Sequence, residues 1–136
     1  MVGLQGCGKS TWVRDNLAQT HVVVSKDHWP NAKNREARQQ RMVAEHLAAG
    51  RSVVVDNTNP RREDRAGVLD LARAAGVPAR AVWLDVPFQI CLDRNLAREG
   101  RARVPVAGLL RTRRLLVPPS LDEGFVRVNV VRPDAG

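Results

Sequence analysis

Eight residues near the start constrain this chain more than any others. Gly3-Leu4-Gln5-Gly6-Cys7-Gly8-Lys9-Ser10 fits the pattern G-x-x-x-x-G-K-[ST] in full. Glycines at these places let successive backbone N–H groups turn toward a phosphate. A helix starting near Lys9 adds the positive end of its dipole. The Lys9 ammonium suits the β- and γ-phosphates of a nucleotide, and the Ser10 hydroxyl suits Mg²⁺. Trp12, Val13 and Leu17 give the following helix an apolar face. The sequence therefore predicts ATP and Mg²⁺ as ligands, with Gly3, Gly6, Cys7, Gly8, Lys9, Ser10 and Thr11 against the nucleotide. For Cys7 two readings compete: a thiol activated by helix-end dipoles, and a small loop residue turned away from the nucleotide.

Downstream, strand-like and helical patterns alternate. Val22 to Val24, Val53 to Val55 and Ala79 to Leu84 read as short buried strands. Asn34 to Ala49 carries helical apolar spacing and stops at Gly50. Pro60 and Pro87 each open a helix, to about Ala75 and Ala97, and Val106 to Leu116 forms another before Pro118-Pro119. Phe125 to Val131 alternates and reads as a last strand, and Pro133 to Gly136 as a frayed tail. Such alternation predicts an α/β sandwich around a mostly parallel sheet. A phosphate loop normally follows a buried central strand of five or six residues, yet only Met1 and Val2 precede Gly3. The expectation is a first strand cut short, with its remainder upstream of Met1.

At 136 residues, the chain fits one domain with its own core. Its net charge of +8 favours polyanions, nucleic acid first. The competing reading is compositional: only three of the basic residues are Lys, as in proteins from GC-rich genomes. Cys7 and Cys91 have neither metal-site nor redox spacing, and a disulfide between them is not expected. No apolar run approaches a membrane span, and the loop begins too early for a signal peptide, so the cytoplasm is the expected compartment.

Ligands in open α/β sheets bind beyond the carboxyl ends of the strands. Asp27 follows the strand Val22 to Val24, and Asp56 ends the strand Val53 to Val55. One carboxylate can accept a hydroxyl proton while another organises Mg²⁺ through its waters. Alternatively, both make turns or caps, and Asp56-Asn57-Thr58-Asn59-Pro60 is a good cap-plus-Pro signal. Arg94, Arg98, Arg101 and Arg103 surround Gly100 and read either as a lid delivering an arginine to a transferring phosphoryl group or as a solvated helix face.

Taken in order and spacing, these segments resemble the kinase domain of 5′-hydroxyl polynucleotide kinases, nucleic-acid repair enzymes of phage and animals and their bacterial relatives. The resemblance rests on the phosphate loop, Val24-Ser25-Lys26-Asp27, Val53 to Pro60, Ala72 to Pro78, Arg94-Asn95 with Arg98, Val104-Pro105-Val106 and Leu121 to Phe125. It implies that Asp27 is the general base on the acceptor hydroxyl and that Arg98, on a lid over about 98–104, contacts the donor phosphates. It also implies that Asp56, Asn57, Thr58 and Asn59 line the acceptor site. Pro30 stands where phage-type members carry an acceptor-holding Arg, and Trp29 beside it suits either base stacking or wall packing.

The sequence thus predicts a single P-loop NTPase, kinase-like domain over 1–136, with Lys9, Asp27 and Arg98 as catalytic residues. The predicted reaction is ATP-dependent phosphorylation of a 5′-hydroxyl nucleic-acid end, with no membrane partner. Two alternatives share the same machinery: a kinase of a small hydroxylated metabolite, and an ATP-binding or ATPase module without a polynucleotide acceptor.

Overall fold

The β-branched triplets Val22–Val24 (β1) and Val53–Val55 (β2) lie side by side as a parallel pair, with Val23 opposite Val54. A second parallel pair joins Arg80–Leu84 (β3) to Arg127–Val131 (β4), with Val82 opposite Asn129. The computed structural model describes residues 1–133; the end of the expected frayed tail lies outside them.

What joins the two pairs is the predicted stub of a first strand. Val2 bridges to Trp83 in parallel, donating to Val82 O at 2.8 Å and accepting from Leu84 N at 2.9 Å. On the other side the Met1 amine donates to Val55 O at 3.0 Å. The strand order is therefore β1, β2, Met1–Val2, β3, β4. The helices are Lys9–Asn16 (α1), Arg35–Ala48 (α2), Arg62–Ala74 (α3), Phe88–Leu96 (α4) and Val106–Leu115 (α5).

Successive strand residues face opposite sides, and β2 shows it: Val54 packs with Val13 of α1 and with Leu17 just after it, while Val55 packs with Val24 of β1 and Val43 of α2. The sheet is thus covered on both faces. A third cluster sets Cys91 of α4 against Val82, Leu84 and the loop residues Leu4 and Cys7. This is the P-loop kinase-like α/β fold expected from the sequence, and among the described residues no helix is long and apolar enough to cross a membrane.

Most predicted elements fall within a residue or two of their expected bounds. The start of α3 differs. Pro60 does not open it; Arg61 is the extended residue before the helix, and its N–H donates to Asp64 Oδ2 at 2.9 Å. Pro60 is occupied instead by the chain crossing above, since its carbonyl accepts from Val117 N at 2.7 Å.

Arg65 of α3 lies almost wholly buried. It forms a forked pair with Glu123 at 2.8 and 3.0 Å and donates to the carbonyls of Asn59, Pro60 and Val117. Removing one member of such a pair strands the other charge. Glu123→Ala should therefore lower stability by about 3–5 kcal/mol, read from urea unfolding. Arg65→Met with Glu123→Leu together should cost less than the two single changes summed.

The Met1 amine is enclosed as well. Burial pulls its pKa down to about 6, against the Asp56 carboxylate, which pulls it up. In the unfolded chain the amine titrates near 8. Between these values the unfolded state binds more protons, so stability should rise from pH 6 to pH 8 by about 2–3 kcal/mol. N-terminal acetylation should remove that slope in urea titrations.

Candidate active site

The phosphate loop hangs from the Met1–Val2 stub and runs straight into α1. Gly6 has φ 80°, and a Cβ there would sit 2.5 Å from Cys91 O, so only glycine fits against α4. Gly8, at φ 96°, is the residue directly before α1 and caps its start. The Lys9 ammonium folds back across the loop onto the carbonyls of Gly3 at 3.0 Å and Leu4 at 2.9 Å. The loop thus keeps the glycine cradle and the helix-end dipole that anion binding needs. Cys7 is buried in the core cluster with Leu4 and Cys91, in keeping with its reading as a small inward-facing residue. Both cysteines are free thiols. Thr11 is exposed in the first turn of α1.

Ser10 donates from Oγ to Asp56 Oδ2 at 2.8 Å. Asp56 sits at the carboxyl end of β2, 6% exposed, its own N–H donating to Val24 O. A hydroxyl beside a carboxylate is a hard oxygen pair of the kind Mg²⁺ takes together with phosphate oxygens and water. These residues fit the expected ion.

Asp27 lies exposed on a short 3₁₀ turn, Lys26–His28, directly after β1. The turn is held from below. Asp27 N donates to Ser25 Oγ at 3.2 Å, and Lys26 N donates to Asn57 Oδ1 at 3.0 Å. Asn57 in turn donates from Nδ2 to Gln39 Oε1 at 2.7 Å. Gln39 is 2% exposed, on the inner face of α2. Lys26 also pairs with Glu36 of α2. Burial pushes the Glu36 carboxyl up, but hydrogen bonds from Lys26 and Gln40 outweigh it and hold the carboxyl below its usual range.

The segment after Asp56 therefore faces inward more than its expected acceptor role suggests. Asn57 secures the Asp27 turn. Thr58 O accepts from Gly3 N at 3.0 Å. Asn59, at φ 44°, donates from Nδ2 to Met1 O at 2.8 Å. One short run thus ties the Asp27 turn, the phosphate loop and the stub together. Trp29 packs against the Val24–Val43–Val55 cluster with the Arg38 guanidinium 4.7 Å from its ring centroid, which is wall packing.

Of the arginines around Gly100, Arg94 reaches the phosphate loop, donating to Cys7 O at 3.2 Å. Arg98 is exposed just beyond the end of α4. The loop that follows α4 is closed at its base by Asn95, fully buried, which exchanges two hydrogen bonds with the Val104 backbone at 2.7 and 2.8 Å. Arg103 donates to the carbonyls of Arg98 and Leu96 across the same base.

Gln39 and Asn95 had no assigned role in the sequence reading, and Arg94 stood there only as one of four arginines around Gly100. For Gln39 a signal existed: it stands one turn before Val43 and two before Leu47, on the apolar stripe of α2.

Residues 1–119 match the AAA domain family, and the chain belongs to it. Its fold is that of the P-loop kinase-like proteins. Over 99% of its length the chain is 30% identical to transcription factor bHLH140 of Arabidopsis thaliana. Over 96% it is 27% identical to the bifunctional polynucleotide phosphatase/kinase of Schizosaccharomyces pombe. It spans 16% of the first protein and 32% of the second. Among solved structures, a sugar kinase from a Janibacter species superposes with a TM-score of 0.69 at 21% identity, covering 96% of this chain and 82% of that one.

Gln39→Leu removes the acceptor of a buried amide, which costs about 1–3 kcal/mol. Urea unfolding should show that loss, and the Lys26 amide should exchange faster as Asn57 is released.

Proposed function

We propose that the chain is a kinase that moves the γ-phosphate of ATP to the 5′-hydroxyl end of a nucleic acid. The observation that carries this reading is the pairing, along one edge of the sheet, of two kinds of group. A phosphate loop with Lys9 and the Ser10–Asp56 pair forms the donor side. An exposed carboxylate, Asp27, stands on a turn braced by buried side chains, on the acceptor side.

Ser10 Oγ and, through water, Asp56 would hold Mg²⁺, which would supply positive charge against the donor phosphates. The loop N–H groups and Lys9 hold the β- and γ-phosphates. Asp27 takes the proton of the attacking hydroxyl. The new bond joins that oxygen to the γ-phosphorus, the bond to the β–γ bridging oxygen breaks, and ADP leaves. Arg98, on the lid, reaches the donor phosphates when the lid closes. Most of the acceleration comes from positioning and from preset charge.

A polynucleotide acceptor is supported by the identity with the fission-yeast phosphatase/kinase across nearly the whole chain and by the excess of arginine. One observation favours the second reading, a small hydroxylated metabolite. Asn57 and Asn59, expected against the acceptor, use their side chains internally, and Pro30 supplies no cation there. The family match does not specify the acceptor.

The test is label transfer from Mg-ATP to a panel holding a 5′-hydroxyl oligonucleotide, its 5′-phosphorylated form, nucleosides and simple sugars. Labelling of the 5′-hydroxyl oligonucleotide alone is expected. Lys9→Ala, Asp27→Asn and Arg98→Ala should each reduce it by about 10²-fold or more, Asp27→Asn without loss of ATP binding. Labelling of a sugar or nucleoside in place of the oligonucleotide overturns the acceptor assignment.

A further inference from the structure

Gln5 stands in the middle of the phosphate loop, and its side chain reaches α5. Nε2 donates to Thr112 Oγ1 at 3.0 Å, joining parts of the chain 107 residues apart. Thr112 fixes the direction of that bond. Its hydroxyl proton goes to Gly108 O, one turn back along α5, at 2.9 Å, so toward Gln5 it can only accept. The other end of the amide, Gln5 Oε1, is buried and meets no donor among the described residues. An acceptor left dry in this way costs its desolvation, and leucine would fill the space without that cost. What Gln5 adds over an apolar residue is the bond to Thr112.

Hydrogen bonds fasten α5 at both ends. Before it, Asn95 holds the Val104 backbone; after it, Val117 donates to Pro60 O and accepts from Arg65. Between these anchors, among the described residues, the Gln5 amide is the one hydrogen-bond donor that reaches α5 from elsewhere in the chain. Thr112 and Leu109 are the buried residues of α5, so the bond lies on the inner face of the helix. On the loop side, Gln5 follows the two carbonyls, of Gly3 and Leu4, on which the Lys9 ammonium rests. A phosphate entering the loop draws Lys9 off those carbonyls, so the backbone leading into Gln5 is where occupancy of the loop is felt.

We propose that Gln5 is a positioning residue that couples the phosphate loop to α5 through Thr112. Nucleotide in the loop steadies α5, and a seated α5 keeps the loop aimed. The coupling rests on the nucleotide-binding part of the function proposed above and is independent of the acceptor. It acts in both directions, because linkage makes the effect of each site on the other reciprocal. Gln5 works through the backbone N–H groups of the loop, which bind an anion well only when their directions are set beforehand. Because α5 begins where the arginine loop after α4 ends, the same bond carries the state of the phosphate loop to the segment that bears Arg98 and Arg103.

The test uses Mg-ADP with the parent chain, Gln5→Leu, Thr112→Val, Thr112→Ser, and Gln5→Leu combined with Thr112→Val. Affinity is read by titration calorimetry, and amide exchange is followed along α5 with and without nucleotide. In the parent, Mg-ADP should slow exchange around Thr112 by about fivefold or more. Gln5→Leu and Thr112→Val should each weaken Mg-ADP binding by about fivefold and abolish the slowing. The combined form should bind no more weakly than either single one, since both changes remove one bond. Thr112→Ser keeps the accepting hydroxyl and should restore the parent values. A purely structural contact would lower the urea midpoint and leave Mg-ADP affinity unchanged. That pattern, slowing that persists in Thr112→Val, additive losses in the combined form, or no recovery in Thr112→Ser each overturns the proposal. A parent that binds Mg-ADP without slowing α5 overturns the coupling alone, whereas a parent that binds no Mg-ADP overturns the nucleotide reading with it.

Discussion

Two residues hold the sheet together. Val2 accepts and donates along β3 while Met1 reaches across to β2, and no other backbone link joins the two strand pairs among the described residues. Because Gly3 follows directly, the geometry of the phosphate loop is set by the same contact. The loop is further fastened where Gly3 N meets Thr58 O and where Gly6 lies flush against α4. Anion binding by backbone N–H groups works only if those groups are already aimed, since reorganising them at the moment of binding would cancel the gain. The central stub is what keeps them aimed.

Three buried polar side chains elsewhere, Arg65, Asn95 and Gln39, each fasten a loop. Arg65 gathers three carbonyls and a carboxylate, fastening the run after β2 to the chain that follows α5. Asn95 does the same for the loop that follows α4, and Gln39 with Asn57 for the Asp27 turn. Satisfied networks of this kind favour one arrangement over its neighbours, since a shifted register would leave polar atoms dry and unpaired.

The fold was legible because its signals are local. Valine triplets, proline starts and glycine stops mark elements within a few residues of themselves, and the phosphate loop carries its own chemistry in contiguous sequence. The α3 start was misread because the carbonyl of Pro60 is claimed by Val117, a contact invisible at short range. The Ser10–Asp56 contact was legible in part for the same reason, since Ser10 belongs to the loop and Asp56 ends a valine triplet. The supports of the site were less so. Arg94 and Arg98 are both one-letter matches for a phosphate contact, and only packing of α4 against the loop distinguishes which one touches it in this state. Gln39 was readable as a polar residue on an apolar stripe, but its partner lies on another strand's end.

The run from Asp56 to Asn59 has a consequence for how this chain can change over evolutionary time. Its four side chains and carbonyls serve the Ser10 hydroxyl, the Asp27 turn, the phosphate loop and the central stub in turn. Such a segment cannot drift freely, because the Asp56, Asn57 and Asn59 side chains each hold a partner on another part of the chain. The exposed turn around Trp29 and Pro30 is freer to diverge, while the inner run stays still. Variation within the inner run would then track whether such a chain still folds.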